Sequence, residues 1–94
     1  MATFKIIRII DGDTFEVSPE WKWKEQTGTH VRPTGYDAPE LHEFGGQQAK
    51  QKLERLIFGK NVELGNAYRI DRGRLVCDVY FGTKNLADYF QEYH

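Results

Sequence analysis

The feature that most constrains this chain is the run Phe4-Lys5-Ile6-Ile7-Arg8-Ile9-Ile10, which leads directly into Asp11-Gly12. β-Branched residues favour extended backbone, and an Asp-Gly pair closing such a run signals a tight two-residue hairpin turn. Strand one therefore reverses at once into strand two, in which Phe15 and Val17 alternate with Thr14, Glu16 and Ser18 at the period of a half-buried strand. Asp13 falls at the mouth of that turn. A chain that opens with a two-stranded ribbon must cover or pair two sheet edges. With 94 residues it must do so within one domain and around one core.

Further along, Trp21-Lys22-Trp23-Lys24 also alternates, and Thr27-Gly28 is read as the turn that sends the chain back as strand three, Thr29 to Arg32. Pro33, lacking an N–H, ends that strand. Residues 33–46 hold two prolines, three glycines and several acidic residues and read as a loop. From Gln47 onward Ala49, Leu53, Leu56 and Ile57 form one apolar stripe of an amphipathic helix ended by Gly59. Val62 and Leu64 mark a fourth strand, and the segment Asp71-Arg72-Gly73-Arg74 closes a polar loop before a fifth, Leu75 to Phe81. Thr83 is read as the cap of a short C-terminal helix that buries Leu86, Phe90 and Tyr93. The expected fold is mainly β with two helices: a five-stranded OB-fold barrel with a helix between strands 3 and 4, and an open α+β sheet as the alternative.

Composition narrows the function classes. Thirteen basic residues nearly balance fourteen acidic ones, for a formal net charge of -1, which excludes a broad basic coat for nucleic acid but leaves room for a local cationic site. No window approaches the ~18 consecutive apolar residues of a membrane span, and no charged-then-apolar leader precedes the first strand, so no membrane partner is expected. That pattern suits a cytoplasmic protein, or a secreted one trimmed from a precursor. Cys77 is the single cysteine, so it cannot form an internal disulfide, and its neighbours Val76 and Val79 mark it as a buried thiol.

Polar chemistry gathers at two places that the strand order can bring together: Asp11 and Asp13 at the first hairpin, Asp37 and Glu40 after strand three. Carboxylates set side by side repel, so either their pKa values rise or a cation sits among them, and an oxygen-only set suits a hard ion such as Ca²⁺. The plainer reading, preferred on spacing alone, is that the aspartates hydrogen-bond their own turns. Arg32 and Arg74 sit where either could face the acidic group. Guanidinium groups stabilise charge developing on a phosphoryl centre, yet each arginine taken alone is as well explained by a salt bridge to Asp37 or Asp71. Trp21 and Trp23, with Lys22 between them, could stack on bases or cover a barrel edge, the second reading being preferred. His30, His42 and His94 lack metal-ligand spacing and are given no role.

Taken together, Ile9-Ile10-Asp11-Gly12-Asp13-Thr14-Phe15, Val31-Arg32, Gly35-Tyr36-Asp37-Ala38-Pro39-Glu40, Gly46-Gln47-Gln48-Ala49-Lys50, Gly59-Lys60 and Asp71-Arg72-Gly73-Arg74-Leu75 resemble, in order, the staphylococcal (micrococcal, thermonuclease-type) nuclease family. The resemblance covers nearly the whole chain and implies an OB-fold barrel. It also implies that Asp13, Asp37 and the main-chain carbonyl of Ala38 hold Ca²⁺, with Asp11 behind them. Glu40 would orient or deprotonate the attacking water, while Arg32 and Arg74 would grip the scissile phosphate. The implied activity is calcium-dependent hydrolysis of single-stranded DNA or RNA, leaving a 5′-hydroxyl and a 3′-phosphate, by a monomer. This sequence departs from the family in a shortened loop before Arg74, in Pro33 directly after Arg32, and in stopping at His94. The alternative function is a weakly active or inactive nuclease-like module or fragment that binds nucleic acid or protein, as nuclease-like repeats of Tudor-containing proteins do. The presence of Asp13, Asp37 and Glu40 together argues against that alternative.

Overall fold

A computed structural model describes residues 3–94. Five strands form the barrel: β1 (Thr3–Asp11), β2 (Thr14–Trp23), β3 (Gln26–Pro33), β4 (Asn61–Asp71) and β5 (Arg74–Phe81), with one α-helix, α1 (Gly46–Ile57), between β3 and β4. β1 pairs antiparallel with β2 and β4, β2 with β3, and β4 with β5; a parallel β3–β5 pairing closes the ring in the order β1-β2-β3-β5-β4. That closure removes the edges the opening hairpin exposes, and the mainly β architecture is the OB-like one expected. Among the described residues no helix is long and apolar enough to cross a membrane.

The first hairpin is as tight as the sequence implies: Asp11 pairs with Thr14, leaving Gly12 and Asp13 as the turn. Gly12 is there because the turn is packed against its neighbours. A Cβ at that position would meet the Ala49 Cβ at 2.6 Å and the Ala38 Cβ at 2.8 Å. The hairpin tip is thus wedged between α1 and the acidic loop, which fixes where Asp13 points. Inside the barrel Ile6, Phe15, Val17, Val31, Cys77 and Val79 meet the Ala49, Leu53 and Ile57 face of α1 in a single core. Burial pushes the Cys77 thiol up to about 12, so it stays protonated and serves as core filling.

Four expectations are corrected. The second hairpin turns at Lys24-Glu25, both with positive φ (47° and 68°), and β3 begins at Gln26, upstream of the expected Thr27-Gly28 turn. Gly28 is instead a strand residue opposite Trp21, and a Cβ there would lie 2.7 Å from the indole. Trp21 accordingly is a core residue that donates its ring N–H to the His30 carbonyl at 2.8 Å, and it does not cover an edge. β4 runs on to Asp71 through two irregularities around Ala67, so the expected polar loop is only the two-residue turn Arg72-Gly73. Finally, the C-terminal helix is absent as such: a two-residue strand, β6 (Lys84–Asn85), is followed by two 3-10 turns, Leu86–Tyr89 and Gln91–Tyr93, and the cap is Asn85, not Thr83. Seven residues in two turns are too few to propagate an α-helix, yet Leu86 and Phe90 reach the core as expected.

Pro33 is a fully buried barrel residue, opposite Cys77 in the β3–β5 ladder. The bond its missing N–H cannot make is replaced one residue on, where Thr34 donates to the Cys77 carbonyl at 3.0 Å.

Candidate active site

The tip of the first hairpin, the loop after β3 and the β4–β5 turn enclose a cleft of about 270 Å³, lined by Asp11, Asp13, Arg32, Asp37, Ala38, Glu40, Arg69, Asp71, Arg72 and Arg74. All six residues singled out from the sequence, Asp13, Asp37, Ala38, Glu40, Arg32 and Arg74, therefore face one space although they span much of the chain.

Each is held there by an identifiable contact. Asp13 is buried, and its main-chain N–H donates to Asp11 Oδ1 at 3.1 Å, so the turn-type bond is made by the Asp11 side chain and not by that of Asp13. Its carboxylate accepts from the Ala38 N–H at 3.2 Å and from Arg32 at 3.3 Å, which ties the hairpin to the acidic loop. The same Arg32 nitrogen donates to Asp37 Oδ1 at 2.9 Å. One guanidinium thus joins a buried carboxylate to an exposed one. Tyr36 locks the base of the loop: its hydroxyl donates to the Gly12 carbonyl at 2.9 Å, and its ring stacks on Phe90 at a centroid distance of 4.6 Å. From the C-terminal turns, the Tyr93 carbonyl accepts the Asp37 N–H at 3.0 Å. On the opposite wall Arg74 bonds Asp71 Oδ2 at 3.0 Å and the Thr14 hydroxyl at 3.0 Å, and that hydroxyl reaches Asp13 Oδ1 at 3.4 Å. Glu40 is exposed and lies 3.5 Å from the His42 ring.

Five carboxylates share this cleft with four arginines. Buried at the edge of this cleft, the Asp13 carboxyl is pushed up from its ordinary 3.8 to about 7. Burial is the first cause, followed by the hydrogen bond and charge it shares with Asp11; the Arg32 charge and the Ala38 N–H pull the other way. The Tyr36 hydroxyl is also raised well above its usual value, by burial and then by Asp13 and Asp11, so it remains a donor.

Among the described residues no group of three or more His, Cys, Asp or Glu side chains is arranged as a ready-made metal site. The donors that do converge are Asp13 and Asp37, brought to one cation by Arg32, with Asp11 adding negative charge behind them. An all-oxygen set whose buried member is under-compensated for charge fits a further hard cation and offers nothing to a thiolate-seeking one. Both arginines make the salt bridges that sequence reasoning offers as the plain alternative, Arg32 to Asp37 and Arg74 to Asp71.

Sequence reasoning misses three contributions. Arg69 and Arg72 line the cleft, Arg69 being drawn in by the extension of β4. Thr14 couples Arg74 to Asp13, and Tyr36 clamps the hairpin tip. The Asp-Gly-Asp-Thr run and the Tyr before Asp37 are visible, but nothing in one dimension says that a hydroxyl will bridge them.

Comparison with known proteins adds a direction. The chain is 31% identical over 84 residues to an uncharacterized endonuclease of Haemophilus influenzae, covering 89% of this chain and 45% of that protein. It is 30% identical over 76 residues to a like-named protein of Escherichia coli, covering 81% of this chain and 46% of the other, and 36% identical over 100 residues to a probable endonuclease of Coccidioides posadasii, covering 81% and 32%. These three relatives are endonucleases by name. No family model matches the chain. The chain spans less than half the length of each of these three relatives.

Proposed function

We propose that this chain is a nuclease domain of the staphylococcal nuclease type, using Ca²⁺ to hydrolyse phosphodiester bonds of single-stranded DNA or RNA and leaving 3′-phosphates. The observation that carries the proposal is the cleft in which Arg32 joins Asp13 to Asp37 while Glu40 and Arg74 line the same walls. The names of the relatives support the nuclease class. The calcium and the substrate polarity rest on the donor chemistry and on the motif resemblance.

Asp13 and Asp37, with the Ala38 carbonyl, would hold the calcium, which when bound supplies positive charge beside the scissile phosphate. The chain's own residues do the rest. Arg32 spends only one terminal nitrogen on the two carboxylates, so its remaining N–H groups are free to donate to phosphoryl oxygens. Arg74 offers its charge from the opposite wall, and charge building on the phosphorus is stabilised by both. Glu40, exposed at the cleft, accepts or directs the proton of the attacking water as the new P–O bond forms. The bond to the 5′ oxygen breaks, and that oxygen takes a proton from solvent, giving a 5′-hydroxyl and a 3′-phosphate. The proposed active unit is the monomer.

A second reading, a nuclease-like module that binds without cutting, has one observation in its favour. Arg74 directs all three of its guanidinium nitrogens to Asp71 and Thr14. Titration calorimetry with CaCl₂ on the wild-type chain and on Asp13→Ala, together with analysis of product ends, separates the two readings. The proposal expects calcium binding that Asp13→Ala weakens at least about tenfold, the size of a lost charged ligand, and products that carry 3′-phosphates. Equal isotherms for the two proteins would refute the metal assignment, and products with 3′-hydroxyls the bond polarity.

A further inference from the structure

A groove of about 650 Å³, larger than the carboxylate cleft, lies between the end of β2 and the middle of β4. It is lined by unbroken runs of chain, residues 21–23 of β2 and residues 64–68 of β4. Successive side chains of a strand point to opposite faces, so a continuous run lines one space only where the strand turns its edge, and with it its backbone, towards that space.

The strand pairing agrees, because closure of the ring leaves this stretch uncovered. Among the described residues β1 meets β4 only at Asn61, Val62 and Glu63, and its ladder with β2 ends at Ser18. Past those points β4 is paired with β5 alone and β2 with β3 alone. The β4–β5 register also shifts between Leu64 and Ala67, so Gly65 and Asn66 have no opposite number on β5 either. Two strand edges thus face each other across the groove, over core residues Phe4, Trp21 and Leu75 that give it an apolar floor. An unpaired edge is a template for another strand. The charge of the lining narrows which strand: Lys22 is exposed and makes no ion pair among the described residues, and no carboxylate lines the groove.

We propose that this groove docks an extended peptide segment of a partner protein, which adds as a strand to the β4 edge, sets apolar side chains on the floor and places an acidic side chain at Lys22. Main-chain hydrogen bonds to β4 supply affinity, and the side chains on alternate positions supply the choice of partner. The site is separate from the carboxylate cleft and does not rest on the nuclease reading.

Trp21 and Trp23 are the chain's two tryptophans and both line the groove, so intrinsic fluorescence reads its occupancy directly. The probe is a blocked hexapeptide in which valine alternates with threonine and one central glutamate, titrated to about 1 mM, a concentration that reveals even a weak site. A saturable change in tryptophan emission is expected. The same peptide with lysine in place of glutamate is expected to bind at least about tenfold more weakly, the size of a lost charged contact, and Lys22→Glu to reverse that preference. The fully N-methylated peptide keeps the side chains, loses every donor N–H and is expected not to bind. Lys22→Glu should still cleave single-stranded DNA at the wild-type rate. The absence of a saturable change with the first peptide overturns the proposal, as does equal binding of the N-methylated or the lysine-bearing peptide. An oligothymidylate that shifts the emission of wild type but not of Lys22→Glu assigns the groove to nucleic acid and overturns it too, and loss of cleavage in a folded Lys22→Glu does the same. Should Lys22→Glu fail to fold, the three peptides on the wild-type chain decide by themselves.

Discussion

Replacing Asp13 by Asn tests the electrostatics of the cleft without invoking any ligand. The folded carboxyl is pushed from 3.8 to about 7, so folding opposes its ionisation. Each pKa unit is worth about 1.4 kcal/mol, and the rise therefore costs the folded state about 4 kcal/mol once the group is ionised in both states. The sign follows from the direction. A carboxyl with a raised folded pKa contributes stability that is fully present below about 4 and is lost as pH climbs through about 7. Asn, a neutral near-isostere, still offers an oxygen to the Ala38 N–H and to Arg32 and escapes that loss. In chelator at pH 8 the variant should be more stable by up to about 4 kcal/mol, a large part of the stability of a domain this size and equivalent to a Tm rise of order 20 °C. At pH 4 the two proteins should melt within a few degrees of one another. Urea or thermal melts from pH 4 to pH 8 provide the measurement. A variant no more stable than wild type at pH 8, or an advantage that does not grow with pH, would refute the reasoning.

Two smaller perturbations probe how the site is held. Gly28→Ala adds a Cβ 2.7 Å from the buried Trp21 indole, and urea titration should show a loss of about 1–3 kcal/mol even though the position is in a strand. Tyr36→Phe removes the donor to the Gly12 carbonyl inside the core, and the same titration should show a loss of about 1–2 kcal/mol. Amide exchange in that variant should also rise at the hairpin tip and at Asp37, since both lean on Tyr36.

Where local chemistry dictates the structure, the sequence is readable. The β-branched run with Asp11-Gly12 specifies the first hairpin, and the Ala49, Leu53, Ile57 stripe specifies the face of α1, because turn chemistry and helical period are local properties. The second hairpin escapes such a reading because its turn residues, Lys24 and Glu25, carry no left-handed preference, while the glycine that suggests a turn is small in order to admit Trp21. The length of β4 is hidden by irregularities around Ala67 that interrupt its alternation. The C-terminal segment bears helical spacing but is too short to sustain it. For the cleft, the residue types are legible and their convergence is not. Joining Asp13 to Asp37 through Arg32, and to Arg74 through Thr14, depends on barrel closure and on the wedge of Gly12 against Ala38 and Ala49. Arg69 and Arg72 stay hidden because, in sequence, each looks like any solvated charge.

The central claim is that this cleft cuts phosphodiester bonds with Glu40 taking part. Its most direct test is incubation of end-labelled single-stranded DNA and RNA with the purified chain, in CaCl₂ or in chelator, beside a Glu40→Gln preparation purified identically. The account predicts cleavage by the wild-type protein in calcium, none in chelator, and a loss of at least about a hundredfold in Glu40→Gln, the usual size of a lost proton-transfer group, while calcium binding by calorimetry persists. Cleavage of equal rate in the Glu40→Gln protein, or none by the wild type in calcium, would contradict it.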